Sequence, residues 1–288
     1  MLDDILAQGL FAGGLYALIA LGFVMIFKSS RVLNLAYGEI ILILSYFLYH
    51  VLDSWGLPLW SAVLLLFAVG AGMGFLLERA FIRPLIGQSF LALLMMTLML
   101  GFLFKGIIVM IWGGKSFSYG FTPKEMMDIG SISILPSYLW AFITSIFIFL
   151  LLYLLFQRTK IGLAMRVVAT DHAVSQSLGI KVKQIFSLSW VISGMFAVVC
   201  GILAGCIFMV TPEMGDMVGL GKGLPVVLLG GLDSIPGALV GGLIIGVVES
   251  LGGYWGGGVR EIIPWIIMLL ILLVRPWGIF GERRIERI

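Results

Sequence analysis

Charge is what this sequence has least of: acidic and basic residues make up 11% of its 288 positions, against about 25% in soluble domains. Hydrophobic residues make up 61%, more apolar surface than a soluble fold of this length can hide. A soluble core is therefore excluded, and a polytopic membrane protein is the expected class. Cysteine is nearly absent. Cys200 and Cys206 stand six apart in one apolar run, point in different directions on a helix and cannot bridge, so they read as small apolar side chains. The two histidines, His50 and His172, lie far apart without nearby ligand partners, and no metal site is expected. There is no H-E-x-x-H, no G-x-S-x-G and no Cys–His pair placed as nucleophile and base, so an enzyme is not expected. A basic leader is also missing: Met1 is followed by Leu2, Asp3 and Asp4, and no cleavable signal peptide is expected.

Glycine, by contrast, is abundant. The stretch GLGKGLPVVLLGGLDSIPGALVGG at 219–242 has the look of a phosphate-binding loop, and spacing tests it. That loop needs G-x-x-x-x-G-K followed by Ser or Thr. Here the residue five before Gly221 is Asp216, and Lys222 is followed by Gly223, which has no hydroxyl for magnesium. Two required groups are missing, so the chain binds no nucleotide here and the glycines have another task.

Apolar segments of spanning length fall at about 5–27, 32–52, 59–77, 90–111, 135–156 and 185–210, followed by shorter pieces near 222–232 and 237–251 and a last one over 259–274. Backbone in lipid must satisfy its own hydrogen bonds, so all are read as helices. The fold class is all-α, with about eight transmembrane helices in one membrane domain over 1–288, some short or broken in the C-terminal third. Loops 28–31, 79–89 and 157–184 and the tail after 274 collect 13 of the 18 basic residues. The positive-inside rule makes that side cytoplasmic, with the N-terminus outside. Trp55, Trp60, Trp112, Trp140 and Trp255 fall near the opposite ends, as an aromatic belt would. The DSIPG turn at 233–237 then reaches toward the cytoplasm, and Pro225, Gly230, Gly231, Pro236 and Gly237 form a candidate hinge with few side chains to repack. Gly201 and Gly205, Gly237 and Gly241, and Gly242 and Gly246 are each four apart, a spacing that lets helix backbones approach closely in lipid.

Acids inside a membrane are costly and by default functional candidates. Glu39, about eight residues into the second span, is a pathway or gating candidate, with Tyr46 on the same face seven residues on; the alternative is an interhelical hydrogen bond that only fixes packing. Glu249 shares a stripe with Ala238, Gly242, Gly246 and Gly253 and either anchors a helix interface or lines the outer part of a pore. Asn34 reads as a cap or interhelical bond, and Lys105 as a snorkelling residue without a role.

Residues 157–184, QRTKIGLAMRVVATDHAVSQSLGIKVKQ, form the longest polar stretch on the basic side. Thr170 or Asp171 can cap a helix from Ala173 to Leu178 and Gly179 can end it. Two turns do not stand alone in water, so this segment lies on the membrane body, a partner, or both.

Four stretches, RVLNLAYGE at 31–39, TDHAVSQSLGIKV at 170–182, LLGGLDSIPGALVGG at 228–242 and RPWGIFG at 275–281, resemble the LivH-type permease subunits of bacterial ABC importers for branched-chain amino acids. The resemblance covers almost the whole chain. It implies a bacterial inner-membrane protein that pairs with a second, similar or identical permease, two cytoplasmic ATPases that carry the ATP and Mg, and a periplasmic substrate-binding protein; no cofactor and no nucleic acid belong to this chain. The segment at 166–179 would then couple to an ATPase through Arg166, Asp171, Ser175 and Gly179. In related loops an acid and two small residues often precede the glycine, where this chain has Ala173, Val174 and Ser175. Relatives of the group also move urea, short amides or aromatic acids, and from the residues alone an ATP-independent channel or ion-coupled carrier stays open.

Overall fold

The computed structural model describes residues 2–122, 125–129, 132–170 and 172–281. The chain is helical almost throughout: α1 (Leu2–Ser30), α2 (Tyr37–Asp53), α3 (Leu59–Leu77), α4 (Phe90–Trp112), α5 (Pro136–Arg158), α6 (Lys160–Thr170), α7 (His172–Ser177), α8 (Val182–Phe208), α9 (Met214–Asp216), α10 (Leu224–Gly230), α11 (Ile235–Trp255) and α12 (Gly257–Val274). A two-stranded hairpin, β1 (Met127–Ile129) with β2 (Ile132–Ile134), sits between α4 and α5. Among the described residues seven helices are long and apolar enough to cross a membrane.

Two helices are too short to do so by themselves, and both begin inside the bundle. The expected second span over 32–52 is not one helix. The chain leaves α1 through Arg31, whose φ is 57°, runs unwound to Ala36, and α2 starts only at Tyr37. In the second case the expected piece near 222–232 starts earlier. A π-helical stretch over Met217–Gly223 joins α9 to α10, giving one continuous helix over 214–230 that follows Met209, with φ 64°. The piece near 237–251 is no short segment either, since α11 has 21 residues and can span.

Unwound backbone at this depth needs partners, and both breaks have them. Thr97 Oγ1 of α4 accepts from Leu35 N–H at 3.2 Å and lies 3.1 Å from the Leu33 carbonyl. The Asn34 side chain accepts from Ala36 N–H at 3.2 Å, a local bond within the unwound stretch rather than the helix cap or interhelical bond expected of it, since the N-cap of α2 is Ala36. At the second break Val210 and Phe117 exchange two backbone hydrogen bonds of 2.9 Å.

The two breaks belong to an inverted repeat. By their contacts α1, α2 and α3 correspond in order to α8, α9–α10 and α11. Tyr37 Oη donates to the Ser193 carbonyl and Ser45 Oγ to the Gly201 carbonyl, so α2 runs parallel to α8. In the other half Lys222 lies over the Tyr16 ring, Gly223 meets Ile19 and Phe23, and Asp233 meets Lys28, so α9–α10 runs parallel to α1. Glycines bring α1 against α11 (Gly9 and Gly13 on Gly246 and Gly242) and α8 against α3 (Gly194 on Gly70). Each contact is backbone on backbone, the close approach that small residues allow between helices.

At one end of the bundle lie the C-terminus of α1, the α3–α4 connection, α6, the turn at 233 and the tail. Arg31 donates to the Ala169 carbonyl at 2.7 Å and pairs with Asp233 at 3.6 Å, and Lys28 donates to the Asp233 carbonyl. Arg83 grips buried Glu78 with two bonds of 2.9 and 2.7 Å, and Ser187 joins at 2.6 Å. The basic loops expected on a common side are thus physically together.

The polar stretch 157–184 holds more structure than expected. It contains the 11-residue helix α6, and Thr170 ends that helix by donating to the Arg166 carbonyl rather than capping the next. Helix α7 spans His172–Ser177 where 173–178 was expected, and Gly179, at φ 79°, ends it.

Candidate functional site

Helices α2 and α9–α10 cross near the middle of the bundle through glycine. A Cβ on Gly38 would lie 2.2 Å from the Gly215 carbonyl oxygen and 2.8 Å from Gly219 Cα. The residue after each leading glycine is acidic: Gly38-Glu39 on α2 and Gly215-Asp216 on α9. Both acids occupy the third position of their helix, where the positive end of the helix dipole favours a carboxylate. They are the counterparts of one another in the inverted repeat. The Glu39 carboxylate lies against Gly215, where a Cβ would be 2.6 Å from Oε1. It is buried beside the Asp216 carboxylate, and among the described residues no cation or amide N–H donates to either oxygen.

Lys105 of α4 forms an ion pair with Asp216, the two side chains being 35% and 51% exposed. Seven residues separate Lys105 from the end of α4 at Trp112, or about 10 Å along the axis. Around it α4 presents Met99, Phe102, Leu103, Val109 and Met110 to the outside. A charge facing acyl chains costs about 2.5–3.5 kcal/mol, so this charged face is suited to water or protein rather than lipid. Lys105, expected to snorkel without a role, is tied to the crossing instead.

A second ionic cluster lies apart from the first. Buried Glu249 of α11 pairs with Lys222 on the π stretch at 2.9 Å and with Arg260 of α12 at 3.0 Å. A cavity of about 620 Å³ is lined by these three residues with Tyr138, Met217, Glu261 and Trp265 among others. Glu249 therefore joins three helices. Lys222 and Arg260 were not singled out from sequence; the signal available was an intramembrane lysine and an intramembrane acid of opposite sign.

The other expected site residues are dispersed. Tyr46 is fully buried, donates to the Lys115 carbonyl at 2.9 Å and packs against Trp112 and Phe117. It lies beneath the 113–119 loop, away from the Glu39 carboxylate. Pro225 is buried at the start of α10. Gly230 and Gly237 pack on each other, a Cβ on either meeting the other's carbonyl oxygen at 2.2 Å, and Pro236 starts α11. Gly231, at φ 109°, lies under the tail, whose Ile279 and Phe280 N–H groups donate to the Leu229 and Gly230 carbonyls. On the polar segment Ser175 is buried, Arg166 donates to Gln157 at 3.0 Å, and Val174 of α7 and Leu178 just beyond its end are exposed. Asp171 lies outside the described residues.

A family model described as branched-chain amino acid transport system / permease component matches residues 5–274. The chain belongs to this family. The permease is 29% identical to the high-affinity branched-chain amino acid transport system permease protein BraD of Pseudomonas aeruginosa, over 98% of this chain and 97% of the relative. It is 31% identical to the probable branched-chain amino acid transport permease protein LivH of Methanocaldococcus jannaschii, over 96% and 92%. Among solved structures it resembles PsaBC from Streptococcus pneumoniae in complex with Fab, with a TM-score of 0.51 over 96% of this chain and 94% of that one; at 12% identity the likeness shows the fold alone. The permease is a multi-pass, all-α membrane protein of this family, as the four motifs led one to expect.

Proposed function

We propose that the permease is the membrane subunit of an ABC importer that moves branched-chain amino acids into the cytoplasm, driven by ATP hydrolysed on separate subunits. The family match over residues 5–274 carries this reading. On this reading the protein lies in the bacterial cytoplasmic membrane with the N-terminus outside and the basic end, with the tail, in the cytoplasm, an orientation that the clustered basic loops support. Its partners would be a second permease, two ATPases that hold ATP and Mg, and an external substrate-binding protein.

The basic end supplies a transmission path. Helices α6 and α7 project Val174 and Leu178 outward for an ATPase. Arg31 links the end of α6 to two places at once: the unwound stretch leading into α2, and Asp233 in the turn between α10 and α11. A displacement of α6 therefore reaches both half-helices through one guanidinium. The glycine crossing is where such a displacement changes access, because the contact there is largely backbone on backbone, with few side chains to repack.

The test is uptake of radiolabelled leucine into proteoliposomes holding the permease with its ATPases and binding protein. Uptake is expected only with ATP. Uptake in ATP-free vesicles under an ion gradient would replace this reading with an ion-coupled carrier. Labelling of a cysteine introduced at 163 by a membrane-impermeant reagent in intact cells would overturn the orientation.

A further inference from the structure

We infer that Glu39, Asp216 and Lys105 form a station for a zwitterionic amino acid at the helix crossing, with the ammonium on the two carboxylates and the carboxylate on Lys105. This rests on the transport reading above and adds the groups that handle the cargo.

Three observations carry it. Glu39 is a buried carboxylate with no hydrogen-bond donor to either oxygen among the described residues, and a buried acceptor is ordinarily matched. Its carboxylate is aimed at Gly215 and so at the base of Asp216, an approach that any side chain at 215 would block. The charges beside it lie open on the lateral face: Asp216 and Lys105 pair with each other at half exposure, and Glu213 is exposed one turn before Asp216. Three acids against one lysine leave a surplus of two negative charges, so the set attracts a cation.

An amino acid fits the set. Its ammonium bridges Glu39 and Asp216 and the released Lys105 takes its carboxylate, so Asp216 and Lys105 each exchange one opposite partner for another and Glu39 gains one. Gly101, whose missing side chain would stand 3.7 Å from Glu39 Cγ, leaves space beside the carboxylate. A neutral amide or urea offers no charge to exchange for the Lys105–Asp216 pair, so the station selects zwitterions over uncharged analogues. Each half of the inverted repeat contributes one acid, so opposed motion of α2 and α9–α10 separates the two carboxylates and releases the ammonium.

Two measurements on the assembled complex test this. In the first, leucine uptake is compared for wild type, Glu39→Gln, Lys105→Met, Asp216→Asn and the swapped pair Lys105→Asp with Asp216→Lys. The swap keeps an ion pair between α4 and α9, so it guards against simple misfolding. Loss of at least tenfold in the single variants and in the swap, with the ATPases still co-purifying, is expected. Uptake restored by the swap would make the pair a structural tie and overturn the station. In the second, Phe102→Cys, exposed one turn before Lys105, in a Cys206→Ser background is labelled with a thiol reagent in the ATP-free complex. L-Leucine should protect it, whereas isoamylamine, which lacks the carboxylate, and 4-methylpentanoate, which lacks the ammonium, should not; equal protection by all three, or by none, overturns the proposal. Protection without ATP-driven uptake would sink the importer reading and leave the station standing, and uptake with a restoring swap would do the reverse.

Discussion

Consider replacing Gly38 by alanine. The added Cβ would lie 2.2 Å from the Gly215 carbonyl oxygen and 2.8 Å from Gly219 Cα. Both are backbone atoms, so no rotamer change relieves the clash. The helices must part by about 1 Å to reach a van der Waals separation of roughly 3.5 Å. Overpacking of this kind costs about 1–3 kcal/mol, and the upper end applies because rigid backbone faces rigid backbone. A matched control exists in Gly106, also in a helix, where a Cβ meets nothing within 4 Å; there the change to alanine should stabilise by about 0.5–1 kcal/mol through helix propensity alone. Thermal unfolding in detergent, followed by tryptophan fluorescence, separates the two. At about 2–4 °C per kcal/mol, Gly38→Ala should fall several degrees below wild type and Gly106→Ala should not. Equal melting temperatures for the two variants would refute the claim that α2 and α9–α10 touch backbone to backbone.

Glu249→Leu should destabilise by about 3–5 kcal/mol, since it strands Lys222 and Arg260 around a buried position, whereas Lys222→Met should cost less because Arg260 still neutralises the acid; melting temperatures in detergent rank the two. Ile279→Pro removes the N–H that bonds the Leu229 carbonyl and should cost about 1 kcal/mol, seen as faster amide exchange at the end of α10. Leu178→Glu places a charge on the exposed apolar residue that follows α7; co-purification of the ATPases should fall about tenfold while membrane insertion is unchanged, and undiminished co-purification would remove the end of α7 from the docking surface.

Sequence alone determined the membrane class, because so few charged residues leave lipid as the only solvent for so much apolar surface. It also determined the clustering of basic loops at one end, and the glycine stop at 179, where only a residue without a Cβ adopts φ 79° cheaply. It did not show where α2 begins. Residues 31–36 are as apolar as a helix, and what unwinds them is Thr97, sixty residues away, offering its hydroxyl to their backbone. Likewise the pairing of Gly38-Glu39 with Gly215-Asp216 spans most of the chain at two-residue similarity, too little to stand out as a repeat. Only tertiary structure brings those two acids to one crossing, finds Lys105 beside them and joins Lys222 to Glu249. Apolar patterning reports which segments avoid water, a local property of each stretch. Which charges meet inside the bundle depends on helix tilt, register and the positions of the breaks, and these are set by contacts between residues far apart in the chain.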